Sequence, residues 1–315
     1  LPQKYEILQE RRYFATEKTM MEKGKTKFAI FGNTFHATKS ASIGHVVDVL
    51  RRTSSVISME AEFYQYLRSA LKIDFQPDEV IEGDDFDASF AISIGGDGTF
   101  LKTAAAVGRK GIPIIGINTG RLGFLADVLP KDVETCIESL KHGDYFIEHR
   151  SVLRVTDSHD SMEVFPFALN EVAILKHDNS SMISIRTLID GSYLTTYQAD
   201  GLILSTPTGS TGYSLSVGGP IVAPTSRSLV LTPVAPHSLT VRPVILDDNI
   251  TIRLHVQSRN HNFLASIDGR SQSFTDDVEL MIRRAPYYIN VVKRRDNHFF
   301  ETLRHKLLWG ADTRI

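Results

Sequence analysis

The hydrophobic periodicity of this chain changes once, near residue 145, so one fold class cannot accommodate all of it. From about 27 to 145, short apolar runs alternate with helical stripes. Phe28–Phe31, Phe90–Ile94 and Ile112–Ile117 read as buried strands. Ile43, Val46, Val47 and Leu50 fall at i, i+3, i+4, i+7. Met59, Phe63, Tyr66, Leu67, Ala70 and Leu71 mark a second helical face, with Ser58 as its expected cap. Helices are also expected over Phe100–Val107 and at Val133, Cys136, Ile137 and Leu140, the latter ended by Gly143. Such alternation predicts a parallel sheet covered on both faces. From about 146 the period drops to two. Ile183, Ile185, Thr187 and Ile189, then Asp190-Gly191, then Tyr193, Thr195 and Tyr197 spell a hairpin. Its Asp-Gly pair predicts a type I′ turn with φ > 0 at both residues. Leu229–Val234, Val241–Leu246, Ile250–Val256, Phe263–Ile267, Val278–Ile282 and Tyr287–Val292 add short β-runs. Only Thr211–Val217 and the tail Phe299–Leu308 look helical. This half predicts a mostly antiparallel β-sandwich.

Length and composition agree with two cores. The chain has 315 residues, about two domains' worth. Lys and Arg number 35 against 37 Asp and Glu, a formal net charge of −2. That excludes a strong overall attraction to nucleic acid or an anionic membrane, while leaving room for a local basic pocket. The lone Cys136 cannot form an internal disulfide, which favours a reducing compartment. No apolar run approaches the ~18 residues needed to span a bilayer. Leu1–Lys27 lacks a signal-peptide apolar region. The chain therefore reads as cytoplasmic. The segment 1–26 precedes the first β-run and carries no motif. It reads either as a loosely attached helix or, the favoured reading, as an extension upstream of a start at Met20 or Met21, and its first ~20 residues are expected to be dispensable.

Gly95-Gly96-Asp97-Gly98-Thr99 follows a strand and opens a helix. Its glycines permit φ > 0 and close approach of a ligand to the amides. A helix start adds unpaired N–H groups and a positive dipole end, a phosphate site. Leu101 stands where a dinucleotide fingerprint needs its third glycine, and no Gly-Lys-Ser/Thr follows, so neither common phosphate motif fits. Asp97 admits two readings. An acid beside a phosphate cradle suits a metal or a hydroxyl nucleophile, as in phosphoryl transfer to an alcohol. Alternatively it caps the helix. A second constellation, Asp200–Tyr213, sets many hydroxyls in a Gly/Pro-bent loop suited to a sugar or base. A third, Asn170-Glu171, interrupts the apolar run Phe165–Leu175. These two residues either meet a ligand or face outward on an edge strand. Ile267-Asp268-Gly269-Arg270 reads as a hairpin turn, and no His/Cys/Asp spacing suggests zinc.

Gly95–Thr99, Asn118-Thr119-Gly120-Arg121-Leu122-Gly123-Phe124-Leu125, Asn170-Glu171 and Asp200-Gly201 through Thr206-Pro207-Thr208-Gly209-Ser210-Thr211 resemble, in order and spacing, the ATP-dependent NAD kinases. The resemblance runs from about Lys27 to Gly310. It implies a Rossmann-like α/β domain over 27–145 and a β-sandwich dinucleotide-binding domain over 146–295. It also implies a tail, 296–315, returning to the first domain, and an active site between the domains. The implied reaction moves the γ-phosphoryl group of ATP to the 2′-hydroxyl of the adenosine ribose of NAD, with Mg²⁺ or another divalent metal. By the same resemblance, Gly95, Gly96, Gly98 and Thr99 hold phosphate. Asp97 is the catalytic residue, with a metal contact left open. Asn170 and Glu171 meet the adenine and ribose hydroxyls, and Thr208, Thr211, Gly212 and Tyr213 line the dinucleotide. Asp200 and Ser216 lie toward its other end or across a subunit contact, in a homodimer or homotetramer. Lys39 and Arg121 are candidates for the ATP side by charge alone. Gly212 departs from the Ala of many members, and Arg270 from their Gln. A kinase of the same loop type acting on a lipid or sugar phosphate, or a dinucleotide sensor without turnover, are the other readings. An intact Asp97 speaks against the sensor.

Overall fold

The computed structural model describes residues 25–34, 40–53, 55–120, 123–177, 181–295 and 299–308. Lys39, Arg121 and the segment 1–24 lie outside these. Two compact units emerge: Leu1–Glu148 with Asn290–Ile315, and His149–Ile289. No helix among the described residues is long and apolar enough to cross a membrane.

The first unit carries β1 (Lys27–Gly32), α1 (Ser40–Arg51), β2 (Val56–Glu60), α2 (Ala61–Ser69), β3 (Glu79–Ile81), β4 (Phe90–Gly95), α3 (Asp97–Val107), β5 (Ile114–Asn118) and α4 (Val133–His142). Its strands are parallel in the order β5-β4-β1-β2-β3. β4 and β5 are buried along their whole length, as near-continuous apolar runs require of a doubly covered parallel sheet. Ile43, Val46 and Leu50 of α1 share one core with Ile137 and Leu140 of α4 and Ile30 and Ile92 of the sheet. Gly143 ends α4 in the left-handed conformation, its N–H donating to Leu140 and Ser139 carbonyls, as expected.

The chain runs outward from β1 to β2 and β3, then returns to the other side of β1 for β4 and β5. Such a reversal opens a crevice at the carboxyl ends of the two strands flanking it, the usual ligand position in open α/β sheets. One expectation is corrected. Ser58 caps nothing; it lies with Met59 in β2, buried, and its hydroxyl donates to Glu79 Oε2 at 2.9 Å. α2 begins only after Glu60, and of the expected face Met59 is buried from the strand while only Phe63 and Leu67 are buried from the helix. The spacing from Met59 to Phe63 imitates a helical turn across a strand–helix junction.

The second unit contains most of β6 (Phe146–Asp157), β7 (Phe167–Ala168), β8 (Glu171–Lys176), β9 (Ile183–Ile189), β10 (Ser192–Ala199), β11 (Gly201–Ser205), α5 (Tyr213–Ser216), β12 (Ser228–Val234), β13 (Val244–Asp247), β14 (Thr251–Gln257), β15 (Asn262–Ile267), β16 (Arg270–Thr275) and most of β17 (Glu279–Lys293). One antiparallel set runs β10-β9-β14-β17, with β6 on β17; the other runs β13-β12-β11-β8-β15-β16. Alternate residues such as Ile185, Leu254 and Ile282 meet Val172, Leu204 and Phe263 in one core. The hairpin turns at Asp190 (φ 49) and Gly191 (φ 81), with Ile189 opposite Ser192, as the Asp-Gly signal predicts.

Two β-runs read as separate form the single strand β17. Pro286 falls beyond Arg283, the last residue paired with β14, where that partner needs no N–H from it. The edge strand β16 carries one buried apolar residue, Phe274, and so left no alternation to read. The tail helix α6 (Phe299–Leu307) belongs to the first unit.

Candidate active site

The crevice at the chain reversal holds a cleft of about 300 Å³, lined by Gly32, Asn33, Thr34, Gly96, Gly98, Thr99 and Lys102. α3 starts there, so the N–H groups of its first turn lack helical partners and face outward with the positive dipole end. A Cβ on Gly96 or Gly98 would meet nothing within 4 Å, whereas one on Gly95 would lie 2.2 Å from Thr99 Oγ1. None of the three has φ > 0. That expectation is corrected: the turn needs the missing side chains, not left-handed backbone. Lys102, one turn beyond Thr99, pairs with Glu60 at 3.0 Å and Glu62 at 2.6 Å. Burial alone would lower its pKa, but the bonds to Glu62 and Glu60 outweigh that and raise it.

Asp97 does not cap its helix. Gly96 occupies the cap position, and no side chain bonds there. The Asp97 carboxylate turns instead to the segment after β5. Oδ1 accepts the N–H groups of Leu125 and Ala126, both at 3.1 Å, and Oδ2 that of Phe124 at 3.0 Å. Lys306 Nζ of α6 approaches Oδ2 at 3.3 Å. A Cβ on Gly123 would lie 2.0 Å from Oδ1, so the segment can wrap the carboxylate only with glycine there. Asn118 braces the same loop, accepting from Gly120 N–H at 2.6 Å and donating to Ala126 O at 3.2 Å. Among the described residues no group of three His, Cys, Asp or Glu could hold a metal ion. With four donors already on Asp97, the side chains present do not form a cation cage.

In the second unit, β8 lies between β11 and β15, so Asn170-Glu171 enters a central strand and the edge-strand alternative falls. Glu171 pairs with Ser205, which brings the Thr206–Tyr213 loop beside Asn170. Thr206 fastens the two: its N–H donates to Asn170 O at 2.9 Å and its hydroxyl to Leu169 O at 2.6 Å. A Cβ on Gly209 would lie 2.1 Å from Asn170 O, and one on Gly212 2.8 Å from Glu171 Oε2. Thr208 is buried with its hydroxyl 3.3 Å from Arg150 Nη1, and Thr211 donates to Thr208 O. Asn170 Oδ1 and Glu171 Oε2 are buried, with no hydrogen-bond partner among the described residues. Burial first, then the nearby charge of Asp268, pushes the Glu171 carboxyl up to about 7, against the Tyr213 N–H that favours its ionised form.

Residues 5–145 match the family description ATP-NAD kinase N-terminal domain, and residues 169–294 match ATP-NAD kinase C-terminal domain. The chain belongs to the NAD kinase family. It is 55% identical over 289 residues to the NAD kinase of Bacteroides fragilis, covering 92% of this chain and 100% of that protein. Identity to the NAD kinase of Porphyromonas gingivalis is 43% over 290 residues, covering 91% and 99%. The solved NAD kinase from Archaeoglobus fulgidus in complex with ATP superposes with TM-score 0.67 at 26% identity, over 90% of this chain and 98% of that one. Yeast NADH kinase complexed with NADH shares the fold, with TM-score 0.82 at 23% identity over 93% and 91%. Like its family, the chain is a phosphotransferase.

Of the residues expected in this NAD kinase family member's site, Gly95–Thr99 gather in the first unit. Asn170, Glu171, Thr208, Thr211, Gly212 and Tyr213 gather in the second. Ser216 is exposed one turn beyond Tyr213 and donates to its carbonyl at 2.8 Å. Asp200 stands apart, before the first residue of β11, while the hydroxyl loop follows the last. Five residues of strand separate them, about 16 Å. There Asp200 pairs with Lys176 at 2.8 Å. The substitution of Gly212 for Ala leaves room for Glu171 Oε2. Arg270 turns toward the chain itself, donating to Phe167 O at 2.8 Å. Lys102 and Lys306 escaped the sequence reading, and Asp268 entered it only as a turn residue. Only Lys102 carried a local signal, its place one turn beyond Thr99 on the same helix face.

Proposed function

We propose that the chain transfers the γ-phosphoryl group of ATP to the 2′-hydroxyl of the adenosine ribose of NAD, forming NADP. The observation that carries this reading is the pair of orphaned atoms, Asn170 Oδ1 and Glu171 Oε2. An adenosine supplies what they lack: ribose hydroxyls donate to a carboxylate, and the adenine amino group donates to an amide oxygen. Thr208, Thr211, Gly212 and Tyr213 would border the dinucleotide, and Ser216 its far side. The cleft at the chain reversal suits the phosphates of ATP, held by Gly95, Gly96, Gly98 and Thr99. Lys102 would exchange its hold on Glu60 and Glu62 for phosphate oxygens.

Asp97 serves first as an anchor. Each of its oxygens already accepts two hydrogens, so it holds the 118–126 loop and sets a negative charge beside the phosphate cradle. Lys306, 3.3 Å from Oδ2, helps fix the carboxylate in that orientation. In a loose transition state little deprotonation is needed early, so positioning outweighs basicity. Mg²⁺ or another divalent cation enters this reading only as a companion of the triphosphate.

The same reading includes a homodimer or homotetramer in the cytoplasm. The distance of Asp200 from the hydroxyl loop supports a role for it across a subunit contact. Light scattering of the purified protein tests the assembly, and a monodisperse monomer would remove that part. The activity test is NADP formation from ATP, Mg²⁺ and NAD, read with an NADP-specific dehydrogenase. Absence of NADP, with phosphate transferred instead to a lipid or sugar phosphate, would overturn the assignment.

A further inference from the structure

Asp268 sits in the two-residue turn between β15 and β16, with φ 47, and Gly269 follows with φ 81. A turn of this kind asks only for residues that tolerate positive φ, and its side chains usually face water. Asp268 is half-buried instead, its carboxylate turned inward. Its Oδ2 accepts the N–H of Leu169 at 2.7 Å, and its Oδ1 those of Asn170 at 2.9 Å and Glu171 at 3.0 Å. Its own N–H donates to Glu171 O at 3.1 Å. One side chain thus gathers three consecutive amides ahead of and at the start of β8. Arg270, on the far side of the turn, braces the same segment: Nη2 donates to Phe167 O, and the guanidinium lies 5.5 Å from the Phe165 ring centre.

The arrangement is costly if it is only a turn. Two half-buried carboxylates, Asp268 and Glu171, are set as neighbours of like charge, and Asn would make the turn without that repulsion. What the cost secures is the backbone carrying Asn170 and Glu171, whose Oδ1 and Oε2 atoms have no partner among the described residues. We propose that Asp268, steadied by Arg270, is a positioning residue for the dinucleotide: it fixes the Leu169–Glu171 backbone and so sets where Asn170 and Glu171 meet the base and ribose. This rests on the proposed NAD kinase reading of the site.

Asp268→Asn tests it. The single amide oxygen can still accept from Asn170 and Glu171, but its NH₂ faces the Leu169 N–H. The expected result is a KM for NAD raised roughly 10- to 100-fold, the effect of losing one buried charge-assisted bond and opposing two donors. KM for ATP should move less than about threefold, because the altered backbone carries only residues proposed to meet the dinucleotide. The midpoint of the pH profile for NAD binding should fall, since Glu171 loses a neighbouring negative charge. Equal rises in both KM values, or a lower Tm with unchanged KM for NAD, would overturn the proposal. Should Asp268→Asn fail to fold, Arg270→Ala carries the test, with a rise in KM for NAD of roughly threefold to tenfold expected. No change there would equally overturn it. If the wild-type chain forms no NADP, the function assignment fails by itself. Calorimetric titration of NAD into wild type and Asp268→Asn then decides the positioning role, with weaker binding expected and equal affinity overturning it.

Discussion

Lys306 Nζ lies 3.3 Å from Asp97 Oδ2 and 4.4 Å from the centre of the Phe124 ring. The tail helix therefore closes, from outside, the set of donors that three loop amides begin. Lys306→Met keeps the apolar stem over Phe124 and removes the charge. Both side chains are about a third exposed, so the pair contributes little to stability, about 0–1 kcal/mol. Turnover is expected to fall roughly threefold to tenfold with Tm nearly unchanged, and Lys306→Arg should restore most of it. A fall in Tm with full turnover would make the contact one of packing alone.

Asp97→Asn separates anchor from cap. An amide NH₂ in place of one carboxylate oxygen would face the N–H of Phe124 or those of Leu125 and Ala126. The loop should loosen at a cost of about 1–3 kcal/mol, where a lost cap interaction replaced by Asn would cost well under that. kcat should fall roughly 10²- to 10⁴-fold while NAD still binds. Thermal melts and NADP formation at saturating substrates measure the two effects independently. Turnover within tenfold of wild type would remove Asp97 from the chemistry.

Much of this was legible locally. Phe90–Ile94 is apolar but for Ser93 because β4 is covered on both faces, and Asp190-Gly191 announces its turn by residue type alone. The glycine loop and the Thr206–Thr211 loop are likewise written in contiguous residues. What escaped depends on distance along the chain. Asp268 reaches amides 97 to 99 residues away, and Lys306 reaches a carboxylate 209 residues away. No local period records such meetings. An Asp-Gly pair looks the same whether its carboxylate faces water or, as at Asp268, three buried amides.

The two glycines of the hydroxyl loop should respond differently to alanine. At Gly209 the new Cβ would press on backbone atoms of Asn170, which cannot swing aside. Gly209→Ala is expected to cost about 1–3 kcal/mol and to weaken NAD binding. At Gly212 the nearest atom is the end of the Glu171 side chain, which can rotate. Gly212→Ala should change stability by under about 1 kcal/mol. Denaturant titration of both variants provides the comparison, and equal losses would contradict the packing described.

Gly191→Val tests the hairpin. With φ 81 at this position, a β-branched residue is strained. A loss of about 1 kcal/mol or more is expected in chemical denaturation, with KM values unchanged because the turn bears no site residue. Unchanged stability would mean the turn can adopt another conformation.

Glu171 should make dinucleotide binding depend on pH near neutrality. Burial and the Asp268 charge raise its carboxyl from the usual 4.5 to about 7. A carboxylate raised on folding favours the folded state below its unfolded value, and that contribution is lost as pH rises from about 4.5 through 7. Binding runs the other way. Ribose hydroxyls donate hydrogens, so they favour the ionised carboxylate and release its proton. The Kd for NAD should therefore fall as pH rises from 6 to 8, while stability contributed by this group falls over the same interval. Glu171→Gln removes the titration, so its Kd should be higher and flat in pH. Calorimetry in two buffers of different ionisation enthalpy would register proton release near pH 6.5 for wild type and none for the variant. A wild-type Kd that is flat across this interval would mean that the ligand does not meet the Glu171 carboxyl.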